Sequence, residues 1–236
     1  METVEALATC PEDTMDILSQ EIEALGGVVT SKGHKAVYFE ADKTTFYECH
    51  LRLSTASSIL QVVKSFSAQD LKELAKRSQY IRWYQILNPK KTFRVDVVLT
   101  EKGKDLPRSN DVSKVVRRTI ENSFKKSPPP KVELKDTDVI VVVHYNRKNT
   151  TISLKTSGDA LHKRGYRISG HPAPLKETVA STILRLSGYD GSKHFLDPMC
   201  GSGTLGIEAS YLALGKATPL ILEGLSSSLS LSVIFL

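Results

Sequence analysis

The run Asp197-Pro198-Met199-Cys200-Gly201-Ser202-Gly203-Thr204 limits the folds open to this chain more than any other segment. Ahead of it, His194-Phe195-Leu196 is a short apolar run suited to the end of a buried strand, with Asp197 at its carboxyl edge. After it, Leu205, Ile207, Ala209, Leu212 and Leu214 begin a helical pattern. Strand, glycine turn and helix in succession predict the crossover of a doubly wound sheet, an α/β architecture. Gly201 and Gly203 open backbone conformations closed to other residues, so a ligand can approach the main chain. The unpaired amides of the following helix start, aligned with its dipole, favour a carboxylate or phosphate.

Three ligand readings fit the turn. Gly201-Ser202-Gly203-Thr204-Leu205-Gly206 has the spacing of a dinucleotide fingerprint, with Glu223 at the distance of a ribose-binding acid. Asp197 counts against it, because a carboxylate just before the turn suits the sulfonium and ammonium of S-adenosylmethionine better than a pyrophosphate. A purely structural glycine turn is the third reading. No lysine followed by serine or threonine closes the glycine run, so a P-loop is excluded.

The remainder of the chain alternates strand and helix signals. Val4 to Thr9 is a strand, and Asp13 is placed to cap a helix whose Met15, Leu18, Ile22 and Leu25 share one face and which Gly26 ends. Val28 to Thr30 and Ala36 to Glu40 pair across a turn containing Gly33, Lys43 to Leu53 forms a second helix, and Ser58 to Phe66 closes a ferredoxin-like βαββαβ pattern. A helix over Gln69 to Gln79, a strand over Thr92 to Thr100, a helix over Asp111 to Lys126 and strands over Asp138 to His144 and Thr150 to Lys155 follow. In that second helix Val112, Val115, Val116, Ile120 and Phe124 form the stripe to be buried, and Asn110 or Asp111 supplies the cap. Leu175, Val179, Ile183 and Leu186 form a further stripe, expected to pack on a sheet beginning at Lys193.

Charge is segregated along this order. Residues 1–60 carry 4 basic and 10 acidic side chains, residues 61–170 carry 24 and 11, and residues 171–236 carry 4 and 5, giving −6, +13 and −1. The positive potential therefore sits in the middle segment, as a phosphate-binding surface requires. Lys114, Arg117 and Arg118 project from the middle helix away from its apolar stripe, and Lys163, Arg164 and Arg167 surround Gly165-Tyr166. Arginine suits phosphate because its planar fork engages two oxygens at once.

The glycine box, together with Leu161-His162-Lys163-Arg164-Gly165-Tyr166-Arg167 and Pro174-Leu175-Lys176-Glu177, resembles the THUMP-domain RNA guanine-N2 methyltransferases, in particular the bacterial RlmL type acting on large-subunit ribosomal RNA. The resemblance implies an α/β (α+β) chain with a ferredoxin-like subdomain over 1–56, a THUMP RNA-binding domain over 57–160, a linker over 161–173 and an incomplete Rossmann-like methyltransferase domain over 174–236. It implies S-adenosylmethionine at Asp197, Pro198, Cys200, Gly201, Ser202, Gly203 and Thr204, and RNA at Lys114, Arg117, Arg118, Lys163, Arg164 and Arg167. In that family an Asn/Asp-Pro-Pro-aromatic box holds the flipped guanine and accepts hydrogen bonds from its amine. No such box occurs in these 236 residues, so no catalytic residue is assigned and the expectation is a truncated enzyme, inactive alone. A transfer-RNA guanine-N2 methyltransferase and a catalytically dead THUMP RNA-binding protein are the alternatives. DNA amino-methyltransferases carry a similar glycine box, so the box alone does not separate RNA from DNA.

Several other functions are excluded or demoted. Cys10, Cys49 and Cys200 are widely spaced and form no Cys-x-x-Cys pair, which points to a reducing cytoplasm rather than a disulfide scaffold. The six histidines have no metal-ligand spacing, and neither a signal segment nor a convincing membrane span is visible. Ser127-Pro128-Pro129-Pro130-Lys131 reads as a rigid extended linker. Tyr80, Trp83 and Tyr84 read mainly as core packing, with base stacking as the competing role.

Overall fold

The computed structural model describes residues 3–100, 103, 106–125, 127–166 and 174–215. They divide into two compact units, one built from the chain up to Ile59 together with the chain from Ser157 onward, the other from Leu60–Thr156. In chain order, the first unit holds β1 (Thr3–Thr9), α1 (Met15–Ala24), β2 (Val28–Gly33), β3 (Ala36–Asp42), α2 (Lys43–Arg52) and the start of β4 (Ser58–Phe66). The second holds the rest of β4, then α3 (Leu71–Ser78), α4 (Trp83–Ile86), β5 (Thr92–Leu99), α5 (Ser109–Ser123), β6 (Lys131–Val132), β7 (Val139–Tyr145) and β8 (Thr150–Lys155). The first unit then resumes with α6 (Glu177–Leu186) and α7 (Thr204–Ala213).

In the first unit the strands lie in the order β2-β3-β1, all antiparallel. Leu18 and Ile22 of α1 are fully buried, as the apolar spacing predicts, and Gly26 stops the helix at a φ of +93° that a side chain would strain. Asp13 does not cap this helix. It lies inside a 3-10 turn, Glu12–Thr14, that leads into α1, and Thr14 occupies the cap position without a side-chain bond to the helix. Helix α2 has a side-chain cap, with the Thr45 amide donating to Asp42 Oδ1 at 2.8 Å. Within α2, His50 is buried edge-on against Phe46, with ring centroids 4.7 Å apart, and its Nδ1 lies 2.8 Å from the Phe46 carbonyl oxygen. Burial holds its pKa down at about 4.

The second unit has the strand order β4-β8-β7-β5-β6. Strands β5 and β7 are parallel, so the chain must cross over between them, and α5 is that crossover. Its Val112, Val116, Ile120 and Phe124 enter the core beside Phe93, Val141, Val143 and the fully buried Trp83, while Val115 is partly buried. Register is pinned where the two strands start. Asp138 Oδ2 accepts from the Thr92 amide and hydroxyl, both at 2.8 Å, and the Asp138 amide donates back to Thr92 Oγ1 at 3.0 Å. The Thr92 bonds hold the Asp138 carboxyl below its usual pKa. Asp70 caps α3 through the Glu73 amide, and Glu73 Oε2 accepts in return from the amide of Gln69, the residue before the cap. Two further expectations change. Helix α5 starts at Ser109 with Arg108 at its cap position, and neither Asn110 nor Asp111 caps it. The proline run ends in the short edge strand β6, whose Lys131 and Val132 pair with Thr92 and Phe93.

The returning chain departs furthest from expectation. Helix α6 forms, but its predicted apolar stripe faces outward: Leu175, Ile183 and Leu186 are exposed and Val179 is partly so. Its buried face is Thr178, Ala180, Ser181 and Leu184. No strand forms at His194-Phe195-Leu196, where Leu196 is 87% exposed and Phe195 packs edge-on against Tyr189 at 5.5 Å. A central strand needs hydrogen-bonding neighbours, and no described segment pairs with these residues.

A buried ionic network joins the early and late parts of the first unit. Glu21 of α1 accepts at Oε1 from the Ser54 amide (3.0 Å), the Ser54 hydroxyl (2.6 Å) and Arg185 Nη2 (2.8 Å). At Oε2 it accepts from the Thr55 amide (3.0 Å) and the Thr55 hydroxyl. Arg164 donates Nη2 to the Ser54 carbonyl at 2.6 Å, and its Nε lies 3.0 Å from Glu208 Oε1 of α7. Tyr166 donates to the same Glu208 oxygen at 3.1 Å, and Ser181 of α6 donates to the other. Both side chains of the Arg164–Glu208 pair are at most 2% exposed.

Two outcomes are expected. Arg164→Met leaves the Glu208 carboxylate buried without its cation and should cost about 3–5 kcal/mol, read from urea unfolding. Adding Glu208→Gln should restore part of that loss, since the two losses share one interaction. Acid should also destabilise the fold through His50: with a folded pKa of about 4 against 6.5 when free, its contribution is full above pH 6.5 and is lost as pH falls towards 4. His50→Gln should flatten that part of the pH–stability curve.

Candidate functional site

The glycine turn ends by starting α7. Gly203 sits at the helix cap with φ +73° and Gly201 with φ +52°, both left-handed conformations that favour glycine. The Gly203 amide donates to the Cys200 carbonyl at 2.7 Å, and the first helical bond runs from the Ile207 amide to the Gly203 carbonyl at 2.9 Å. No side-chain cap covers the first-turn amides of α7. A Cβ added at Gly201, Gly203 or Gly206 would meet nothing within 4 Å, so the approach to those amides is open. Asp197 Oδ1 accepts from the Met199 amide at 3.1 Å, which folds its carboxylate back over the start of the turn. Ser202 Oγ lies 3.2 Å from Oγ1 of Thr204, whose side chain is buried, while Pro198 and Cys200 are exposed.

The turn thus gathers the seven residues expected to hold a cofactor into one loop. Its chemistry suits the carboxylate of an amino acid at the uncapped helix start, and Asp197 is the nearby anion for a cationic group. The expected strand beneath Asp197 is absent, so loop hydrogen bonding rather than a strand end positions this carboxylate. Gly191 holds the preceding loop against α7: with φ +86°, any Cβ there would lie 2.4 Å from the Ala213 Cα.

The cations expected to meet RNA fall into three situations. Lys114, Arg117 and Arg118 share the exposed face of α5, opposite its buried stripe, with only loose ion pairs: Lys114 to Asp111 at 4.0 Å and Arg117 to Glu121 at 3.7 Å. Such surface pairs are weak and yield readily to a phosphate. Lys163 is exposed and paired with Asp159 at 3.3 Å. Arg164 corrects the reading: its guanidinium is buried against Glu208 and the Ser54 carbonyl, so it serves the fold and is not presented to phosphates. Arg167 lies outside the described residues.

Glu21, Arg185 and Glu208 were missed as a group. The available signal was an acid inside an apolar helical stripe, since Glu21 falls with Leu18, Ile22 and Leu25, and Glu208 with Leu205, Ala209 and Leu212. Among the described residues no group of three or more metal-ligating side chains assembles, and no helix is long and apolar enough to cross a membrane.

Three successive segments match family models of known proteins. Residues 5–60 match the RlmL ferredoxin-like domain, 68–155 the THUMP domain and 164–223 the RMKL-like methyltransferase domain. The "Ribosomal RNA large subunit methyltransferase K/L" of Syntrophotalea carbinolica is 32% identical over 215 residues, covering 89% of this chain and 30% of that protein. The chain therefore spans about a third of the length of this curated relative. A solved Listeria monocytogenes protein, titled a predicted N6-adenine-specific DNA methylase, superposes with a TM-score of 0.82 at 26% identity, over 99% of this chain and 62% of that one. SMU.472, solved in complex with SAH, shares the fold with a TM-score of 0.79 at 24% identity, over 99% of this chain and 63% of that one. In this order, then, the chain is similar to an RlmL ferredoxin-like domain, a THUMP domain and part of the RMKL-like methyltransferase domain.

Proposed function

We propose that this chain provides the RNA-capturing part and the amino-acid end of the cofactor pocket of an S-adenosylmethionine-dependent methyltransferase acting on the N2 amine of a guanine in large-subunit ribosomal RNA. The observation that carries the reading is the Asp197–Thr204 turn: two left-handed glycines, an uncapped helix start and a carboxylate, in a chain whose THUMP segment exposes a basic helix face. Bound S-adenosylmethionine would supply an electrophilic methyl group on a sulfonium.

The residues of this chain have binding and orienting roles. The first-turn amides of α7 hold a carboxylate, Asp197 offsets positive charge, and the glycines keep the approach free of side chains. Glu208, four residues into the same helix, is held by Arg164, Tyr166 and Ser181, which fixes the direction in which α7 presents those amides. Lys114, Arg117 and Arg118 bind RNA backbone without reading bases. The relative from Syntrophotalea carbinolica, through its printed name, supports ribosomal RNA as the substrate class. The 236 residues contain no Asn/Asp-Pro-Pro-aromatic box, so the grip on the flipped guanine has no assigned residue here.

Cofactor capture is read at Cys200, the exposed thiol of the turn; Cys10 and Cys49 are buried, and burial, reinforced by Glu48 and Glu21, pushes the Cys49 thiol up to about 12. Alkylation should therefore label Cys200 first, S-adenosylhomocysteine should slow it, and Asp197→Ala should weaken that protection about tenfold. Unchanged labelling at saturating S-adenosylhomocysteine would overturn the cofactor reading. RNA binding should weaken with salt, log affinity falling by about 0.7–0.9 per phosphate contact for each tenfold rise, and Arg117→Ala/Arg118→Ala should lower that slope. A flat salt response would overturn the RNA reading. Transfer of labelled methyl to ribosomal rather than transfer RNA, by the protein carrying its whole methyltransferase domain, tests the substrate.

A further inference from the structure

The aromatic cluster of the second unit separates in the fold. Trp83 is fully buried, with its indole Nε1 donating to the Ser78 carbonyl at 3.3 Å, whereas Tyr80 is 71% and Tyr84 54% exposed. Both tyrosines line a cavity of about 860 Å³ with the buried Phe124 ring and with Arg82, Asn122 and Lys125. The Tyr84 amide is tied to the Ser123 hydroxyl at 3.2 Å, which anchors the short helix carrying it to the end of α5.

Resting on the RNA-binding reading above, we propose that this cleft is a subsite for one unpaired nucleobase of the RNA, stacked on Tyr80 or Tyr84 with its flanking phosphates on Arg82 and Lys125. Three features of the cleft match that occupant. Two exposed tyrosine rings offer flat π surfaces, which every base can use regardless of sequence. Among the described lining residues the charged ones are Arg82 and Lys125 and none is a carboxylate, so the rim is complementary to phosphate. The Asn122 amide can both donate to and accept from a base edge. The site is distinct from the Lys114, Arg117 and Arg118 face, which is suited to duplex backbone, so the unit would hold a helical stem and an adjoining unpaired nucleotide at different places.

The test uses the full chain and two RNAs, a blunt hairpin and the same stem with a short unpaired oligoadenylate extension, followed by fluorescence anisotropy. The native protein should bind the extended hairpin about tenfold more tightly. Tyr80→Ala/Tyr84→Ala should erase that preference and leave blunt-hairpin affinity unchanged, and Tyr80→Phe/Tyr84→Phe should keep it. Arg117→Ala/Arg118→Ala should instead weaken both RNAs alike. Binding of the two hairpins with equal affinity by the native protein, or an equal loss for both in the alanine variant, overturns the subsite and leaves the RNA-binding reading standing. Failure to bind either hairpin overturns both readings. Displacement of the extension by polyglutamate but not by free oligoadenylate would give the cleft to an acidic peptide and overturn the proposal.

Discussion

The first unit depends on two buried carboxylates that are never left without a positive charge. Glu21 lies on the packed face of α1 and Glu208 on that of α7, and each would cost several kcal/mol in an apolar setting with no partner. Arg185 meets the first and Arg164 the second, while Ser54 touches both guanidinium groups, through its hydroxyl and its carbonyl. The four charges therefore form one connected set rather than two separate pairs. Such an arrangement contributes little net stability compared with a well-packed apolar core, but it strongly penalises any other placement of α6 and α7 against α1. Precision of placement is what a helix start offered to a ligand needs.

The repeating elements were legible in the sequence because period and burial agree there. Val112, Val116, Ile120 and Phe124 recur at helical spacing and all enter the core, and the strands Ser58–Phe66 and Thr150–Lys155 have the bounds their composition indicates. The turn at Asp197–Thr204 was legible for a different reason: glycine at 201 and 203 answers a backbone requirement that can be read one residue at a time. Helix caps were less legible. Asp13, Asn110 and Asp111 are all chemically able to cap, yet a leading 3-10 turn or a start two residues earlier moves the helix end away from them.

Arg164 and the stripe on α6 show where sequence reading stops. An arginine flanked by Lys163 and followed by glycine and tyrosine carries the local signature of a solvated cation, and nothing nearby in sequence announces Glu208. Its burial is a tertiary fact. Leu175, Val179, Ile183 and Leu186 form a correct amphipathic pattern, but the pattern states only that one face is apolar and does not name its partner. In this structure the opposite face, rich in threonine and serine, is the one that packs, because Ser181 has the Glu208 carboxylate to bond and the leucines have no described strand to cover.

The division of the chain also sets an order of assembly. The first unit is made of segments on either side of Leu60–Thr156, so Glu21 is synthesised long before the arginine that pairs with it. Until Arg185 emerges, burying Glu21 is unfavourable, and α1 has reason to keep that face in water. The intervening segment faces no such delay: its parallel β5 and β7 and the α5 crossover are contiguous in sequence and can close while translation continues. Its closure also shortens the effective loop that the flanking segments must bridge, lowering the entropy cost of bringing them together. The inserted unit is in this sense a folding aid to the one that surrounds it, a role independent of anything it binds.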